Sequence, residues 1–190
     1  MSDDRREPRI SADMLVAISA VFIGVCALVV SLYEANLMRA EQRSAVLPIL
    51  ELSRSYYINQ DRPDGEWRLD LQAENVGIGP AQVLDFRVTV DGEARPTWSA
   101  AMRALLRRDA DVRFGQSTIN GRTIPAERMV TMFSLASTEL AAEIVENFDR
   151  LEFEACYCSV FDECWTTSYT AFGAPDPVKA CETNEDSFQQ

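Results

Sequence analysis

The stretch "EWRLDLQAENVGIGPAQVLDFRVTVDG", Glu66 to Gly92, decides the fold. In its first half Trp67, Leu69, Leu71 and Ala73 alternate with Arg68, Asp70, Gln72 and Glu74, as in a strand with one dry and one wet face. After the break "NVGIGPA" the apolar positions resume at Val83, Leu84, Phe86, Val88 and Val90. They stop at Asp91-Gly92, a dipeptide suited to a tight hairpin turn. Gly77 and Gly79 are expected to supply positive φ at a turn or bulge, with Pro80 fixing the next φ. A phosphate-cradling loop is excluded, because its lysine and its following helix are both missing.

Working outward, "PILELSRSYYI" (48–58), "AERMVTMFSL" (126–135), "RLEFEACYCSVF" (150–161) and "ECWTTSYTAF" (163–172) read as further strands. The "NQDRPDGE" segment (59–66) carries turn chemistry. Two helical stretches interrupt the strands, "TWSAAMRALLRRD" (97–109) and "STELAAEIVENFD" (137–149). The second opens on Ser137 with Leu140 three residues on, so its cap lacks the reciprocal glutamate. Six or seven short strands at this spacing predict a mainly β chain, a Greek-key sandwich over 48–170 with one or two short inserted helices. The polar residues 171–190 read as an irregular tail.

Upstream, Met14 to Tyr33 is twenty residues without a charge, flanked by Asp13 and Glu34. At 1.5 Å per residue this gives about 30 Å of helix, the thickness of a hydrocarbon core. No small-x-small site follows it, so it reads as a retained anchor, and Cys26 as a small apolar side chain in lipid. Residues 34–47 extend the helix as a membrane-proximal segment, with Pro48 expected to end it. Arg5, Arg6 and Arg9 in the tail 1–13, against Arg39 and Arg43 beyond the span, favour a cytoplasmic amino terminus. The domain is then expected in the periplasm, on a single-pass inner-membrane protein.

"NVGIGPA", Asn75 to Ala81, between alternating strands and followed by "VTVDG", resembles the N-x-G-x-G-P-A stretch of immunoglobulin-like domains in bacterial envelope proteins. The chain is similar also to uncharacterised bacterial single-span proteins that have an anchor, a short helix and a "P-I-L" first strand. "TIPAERMVTM" and the final hairpin fit the later strands of such domains, so the likeness covers most of residues 46–170. It implies an immunoglobulin-like fold and no particular activity. The helix around Met102 and the cysteine-bearing last hairpin depart from the simple pattern.

Composition excludes much chemistry. There is no histidine, hence no Ser-His-Asp or Cys-His catalysis and no imidazole switch. Lys179 is the only lysine, and it stands in the expected tail. The "DRPDGE" carboxylates, Asp61, Asp64 and Glu66, lack the alternate-position ligands of a calcium loop. Net charge is -12, and from Val46 onward thirteen basic residues face twenty-four acidic ones, which disfavours nucleic acid. The expected partners are the lipid bilayer and other envelope or membrane proteins, with no cofactor and no catalytic residue. The reading is a non-enzymatic binding or assembly module that engages protein through a sheet edge or loops. The alternative is a thiol-based redox or four-cysteine metal-binding membrane protein.

Two residue sets carry these readings. At helical spacing Trp98, Met102, Leu105 and Leu106 share an apolar stripe, read as a helix covering an open end of the sandwich. The sharper reading rests Trp98, Arg103, Arg107 and Arg108 on anionic headgroups. In "ACYCSVFDECWTTSY" (155–169), Leu151, Phe153, Ala155 and Tyr157 alternate with Glu152, Glu154, Cys156 and Cys158, which places both cysteines outward. Pairing Trp165 and Tyr169 inward puts Cys164 on the same face, opposite Cys158 across a tight loop. Cys156 is left to catch Cys181. Disulfides are favoured over free thiols and over zinc, and loop closure gives the two bridges about 2.4 and 3.5 kcal/mol.

Overall fold

The computed structural model describes residues 12–59, 66–107, 113–170, 174–182 and 187–189. The chain divides into two units, Met1–Ser44 and Ala45–Gln190. The first holds α1, Ala12–Ser44, whose Ala12–Arg43 portion is long and apolar enough to cross a membrane. Its large apolar side chains from Met14 to Met38 are exposed, and Cys26 is an exposed free thiol. The helix stops at Ser44, three residues before the expected end at 47, and Ala45 and Val46 form a turn ahead of Pro48.

In the second unit the period-two segments become β1 (Leu50–Asn59), β2 (Glu66–Asn75) and β3 (Ala81–Val90). A short β4 (Glu93–Ala94) precedes α2 (Trp98–Leu106). Then come β5 (Gly115–Gln116), β6 (Thr123–Ile124), β7 (Arg128–Ala136) and α3 (Thr138–Glu146). A 3₁₀ turn at Phe148–Arg150 leads into β8 (Leu151–Cys158), β9 (Cys164–Ser168) and β10 (Asp176–Val178). Among the described residues these strands make two antiparallel sheets. One runs β1-β2-β7-β5; the other runs β10-β9-β8-β3-β4, with β6 also on β3. The chain crosses from one sheet to the other after β2, β4, β5, β6 and β7, and the inward faces of both sheets share one core.

Leu50, Leu69, Leu71 and Phe133 supply that core from the first sheet, and Phe86, Val88, Phe153 and Tyr157 from the second. Two bulges tune the alternation. On β3, Val83 pairs with Tyr157 and Asp85 with Cys156, which leaves Leu84 as the extra, exposed residue. This shift of parity lets Val83 and Phe86 both reach the core. On β7, Phe133 pairs with Leu71 and Thr131 with Gln72, so Met132 is the extra residue and is buried beside Phe133.

The Asp91-Gly92 turn has φ of 54° and 78°, both positive as a tight hairpin of this type requires. Arg150 holds it, donating from Nε to Asp91 Oδ1 at 2.8 Å and from Nη1 to the Leu105 carbonyl at 2.9 Å. The guanidinium hydrogen bond lowers the Asp91 pKa below its ordinary value.

The expectation for Gly77 and Gly79 is corrected. Neither has a positive φ. They are required by close approach: a Cβ on Gly77 would lie 2.3 Å from Ile49 N, and one on Gly79 would lie 1.8 Å from Val46 O. The chain entering β1 runs directly over this turn, with Val76 N–H donating to Ile49 O at 2.9 Å and Ile78 N–H to Leu47 O at 3.0 Å.

The tail also differs from its expected irregularity. Asp176–Val178 adds β10 to the edge of β9, and Phe188 is buried in the core against Phe86 and Trp98, with centroids 5.4 and 5.1 Å away. The Asp61 and Asp64 carboxylates of the "NQDRPDGE" loop, and Arg108, lie outside the described residues.

Candidate functional site

Two regions concentrate chemistry, and both follow from how β8 and β9 finish the second sheet. The first is the open side of the sandwich. β1 is the outermost strand of its sheet, and β10 covers β9 only from Cys164 to Thr166. Between them runs a groove of about 470 Å³. Leu50, Leu52 and Arg54 line one wall; Thr167, Tyr169 and Pro175 line the other.

The register of β1 decides which backbone groups face the groove. Ile49 O accepts from Val76 N, and the pairing continues as Glu51 with Glu74 and Ser53 with Gln72. Odd-numbered residues therefore bond to β2, and the amides of Leu50, Leu52 and Arg54 point away from it. The Leu50 N–H donates to the Tyr157 hydroxyl at 3.2 Å, reaching across from the other sheet. Burial raises the Tyr157 pKa above the ordinary 10.0, and the Leu50 N–H partly offsets this.

At its far end the groove meets a second hollow of about 440 Å³, since Arg54, Tyr169 and Thr170 line both. The Arg54 guanidinium lies 4.1 Å from the Phe148 ring centroid and 5.6 Å from that of Tyr169. It is thus a cation held on aromatic faces at the junction, on the side of the domain where β1 ends its sheet.

The second region is the cysteine face. β8 pairs with β9 so that Cys158 stands opposite Cys164 and Cys156 opposite Thr166. Cys158 is bonded to Cys164 and Cys156 to Cys181, with sulfurs 2.05 and 2.04 Å apart. Cys158 and Cys164 occupy a non-hydrogen-bonded pair, because the adjacent Ser159 N–H donates to Glu163 O at 2.7 Å. Facing Cα atoms come closest at such a pair, here 4.0 Å. Although the alternation points these cysteines away from the core, Cys156, Cys158 and Cys164 are buried while Glu152 and Glu154 remain exposed. The bridges cover that end of the outer face, where Cys181 is held against Cys156.

The headgroup reading of α2 is corrected at Trp98. That side chain is 1% exposed and packs on Phe86, Phe133 and Phe188, so it cannot reach a lipid surface. Met102, Leu105 and Leu106 are buried with it, while Arg103 and Arg107 are exposed. Sequence reasoning missed Asn75, Phe188 and Arg54. An asparagine opening a glycine turn and a lone aromatic in "DSFQQ" were available signals for the first two; nothing local marks Arg54. No family model matches this chain, and no curated protein matches it either.

Proposed function

We propose that this is a single-span protein of the bacterial inner membrane whose domain faces the periplasm. There it binds an extended peptide segment of another envelope protein along β1. The observation that carries the reading is the groove beside an outermost strand of ten residues, with the outward amides of Leu52 and Arg54 at its wall. An added strand satisfies such amides, and alternate side chains then enter the groove. The order β1-β2-β7 facing β9-β8-β3 supports an immunoglobulin-like description, since it is the A-B-E and G-F-C arrangement of such sandwiches. Two bridges among four cysteines support an oxidising compartment. The absence of histidine supports a binding role over catalysis.

The test uses a library of random twelve-residue peptides selected on the full chain in detergent micelles. Arg54→Pro removes one outward N–H without touching the β1–β2 ladder, and Arg54→Ala controls for the guanidinium. Selected peptides are expected to lose about tenfold or more in affinity on Arg54→Pro, as for one lost hydrogen bond and a blocked strand edge. They should lose less on Arg54→Ala. Equal binding to all three proteins would move the site off β1. The same peptides, fluorescently labelled, should stain intact spheroplasts; staining only after permeabilisation would place the domain in the cytoplasm.

A further inference from the structure

The two bridges are neighbours. Cys156 and Cys158 are two residues apart on β8, so they share a face, and both partners come to that face from elsewhere in the chain. Across the bridges, Cys158 Sγ is 3.8 Å from Cys181 Sγ. The sulfurs of Cys158, Cys164 and Cys181 all lie within 4.8 Å of one another. A separation of 3.8 Å is close to the ~3–3.5 Å of a near-attack arrangement. Accessibility is graded: Cys181 is half-buried, whereas Cys156, Cys158 and Cys164 are buried.

We propose that the two bridges form one thiol–disulfide exchange centre, which takes an external dithiol as co-reactant and passes through a third bridge, Cys158–Cys181. The dithiol reduces Cys156–Cys181, leaves as its own disulfide, and yields two thiols on the protein. The Cys181 thiolate then attacks Cys158; the Cys158–Cys164 bond breaks, Cys158–Cys181 forms, and Cys164 leaves as a thiolate that takes up the proton Cys181 gave. Exchange proceeds through the thiolate and needs no further oxidant or reductant. The product thiol has an acceptor waiting, since Cys164 Sγ lies 3.6 Å from the Asp162 carbonyl oxygen. Two reducing equivalents that enter at the half-buried sulfur thereby reach a buried one, and the tail shifts its attachment by two residues along β8.

The identity of residue 157 makes the exchange readable. Chymotryptic cleavage after Tyr157 separates Cys156 from Cys158, and cleavage after Phe161 separates Cys158 from Cys164. Full-length protein in detergent is titrated with dithiothreitol, acid-quenched, alkylated and mapped. In the two-electron-reduced species the expected result is a Cys158–Cys181 cross-link with Cys156 and Cys164 alkylated.

The variant Cys164→Ser isolates the choice made by Cys181 and keeps one bridge to hold the fold. Its two pairings close loops of 25 and 23 residues, which differ by a factor of about 1.1 in closure probability. Cys156–Cys181 and Cys158–Cys181 should therefore occur within about tenfold of each other in this variant. A crossed bridge scarcer than that in Cys164→Ser, and missing from the wild-type titration, would overturn the proposal.

Discussion

Asn75 carries more of the fold than any other single side chain in the glycine turn. Its Nδ2 donates to Gly79 O at 2.8 Å and to Ile124 O at 3.0 Å, while its Oδ1 accepts from Gly77 N at 3.1 Å and Ile49 N at 3.3 Å. These four bonds tie three pieces of backbone together: the turn itself through Gly77 and Gly79, the residue ahead of β1, and β6. The side chain is fully buried, so Asn75→Ala strands the buried Gly77 N–H and the Gly79 and Ile124 carbonyls without water and unpairs the half-buried Ile49 N–H. At roughly 1–3 kcal/mol for a buried group left unpaired, a loss of at least about 3 kcal/mol is expected in urea unfolding. Asn75→Asp should fare no better, because it sets a carboxylate oxygen against two carbonyls. Wild-type-like unfolding of Asn75→Asp would show that the donor side of the amide is dispensable. The sequence shows a break between two strands here; it does not show that the glycines serve approach rather than turning. That distinction depends on Val46–Ile49 crossing the turn, a contact across some thirty residues of chain.

Elements were legible where a local pattern meets a local rule. Alternation located β2, β3, β7 and β8, and the 3.6-residue stripe located α2, because each segment's own residues choose the buried face. Ser137 caps α3 on Leu140 N, as the sequence indicates, and Thr97 caps α2 by accepting from Ala100 N at 3.2 Å. The register that sets Cys158 against Cys164 was legible for the same reason. The carboxy-terminal segment was not, since a single aromatic has no period. Phe188 enters as a plug beneath α2; its N–H donates to Phe86 O at 2.8 Å, and the next N–H, of Gln189, donates to Pro96 O at 2.7 Å. Asn120 Nδ2 donates to the Phe188 carbonyl at 3.1 Å. Phe188→Ala empties a site between Phe86 and Trp98, and a cost of about 3–5 kcal/mol is expected. The fluorescence of Trp98, now facing a cavity, should change in the folded state as well as the midpoint. A variant with unaltered stability and emission would mean that the plug is ornamental to the core.

At the scale of the whole molecule, the described residues join the two sheets by polar contacts at Asn75, which donates to Ile124 O on β6, and at the Tyr157 hydroxyl, which accepts from Leu50 N–H. Burial holds the phenol neutral to higher pH than in an unfolded chain, so the unfolded state loses its proton first. The stability this group supports is complete below pH 10.0 and declines as pH rises above it toward the raised folded value. Tyr157→Phe is expected to cost about 1 kcal/mol at neutral pH and to flatten this part of the alkaline decline. Parallel curves for the two proteins between pH 9 and 11 would sink the argument. The same contact has a mechanical meaning. The chain passes from α1 to β1 through only a few residues, so tension applied at the amino-terminal helix enters the domain at Leu47, Ile49 and Leu50. Those residues are fastened at once to Ile78, Val76, Asn75 and Tyr157. A pull therefore loads two sheets together instead of peeling one strand, and the point where the domain is tethered is also its clamp.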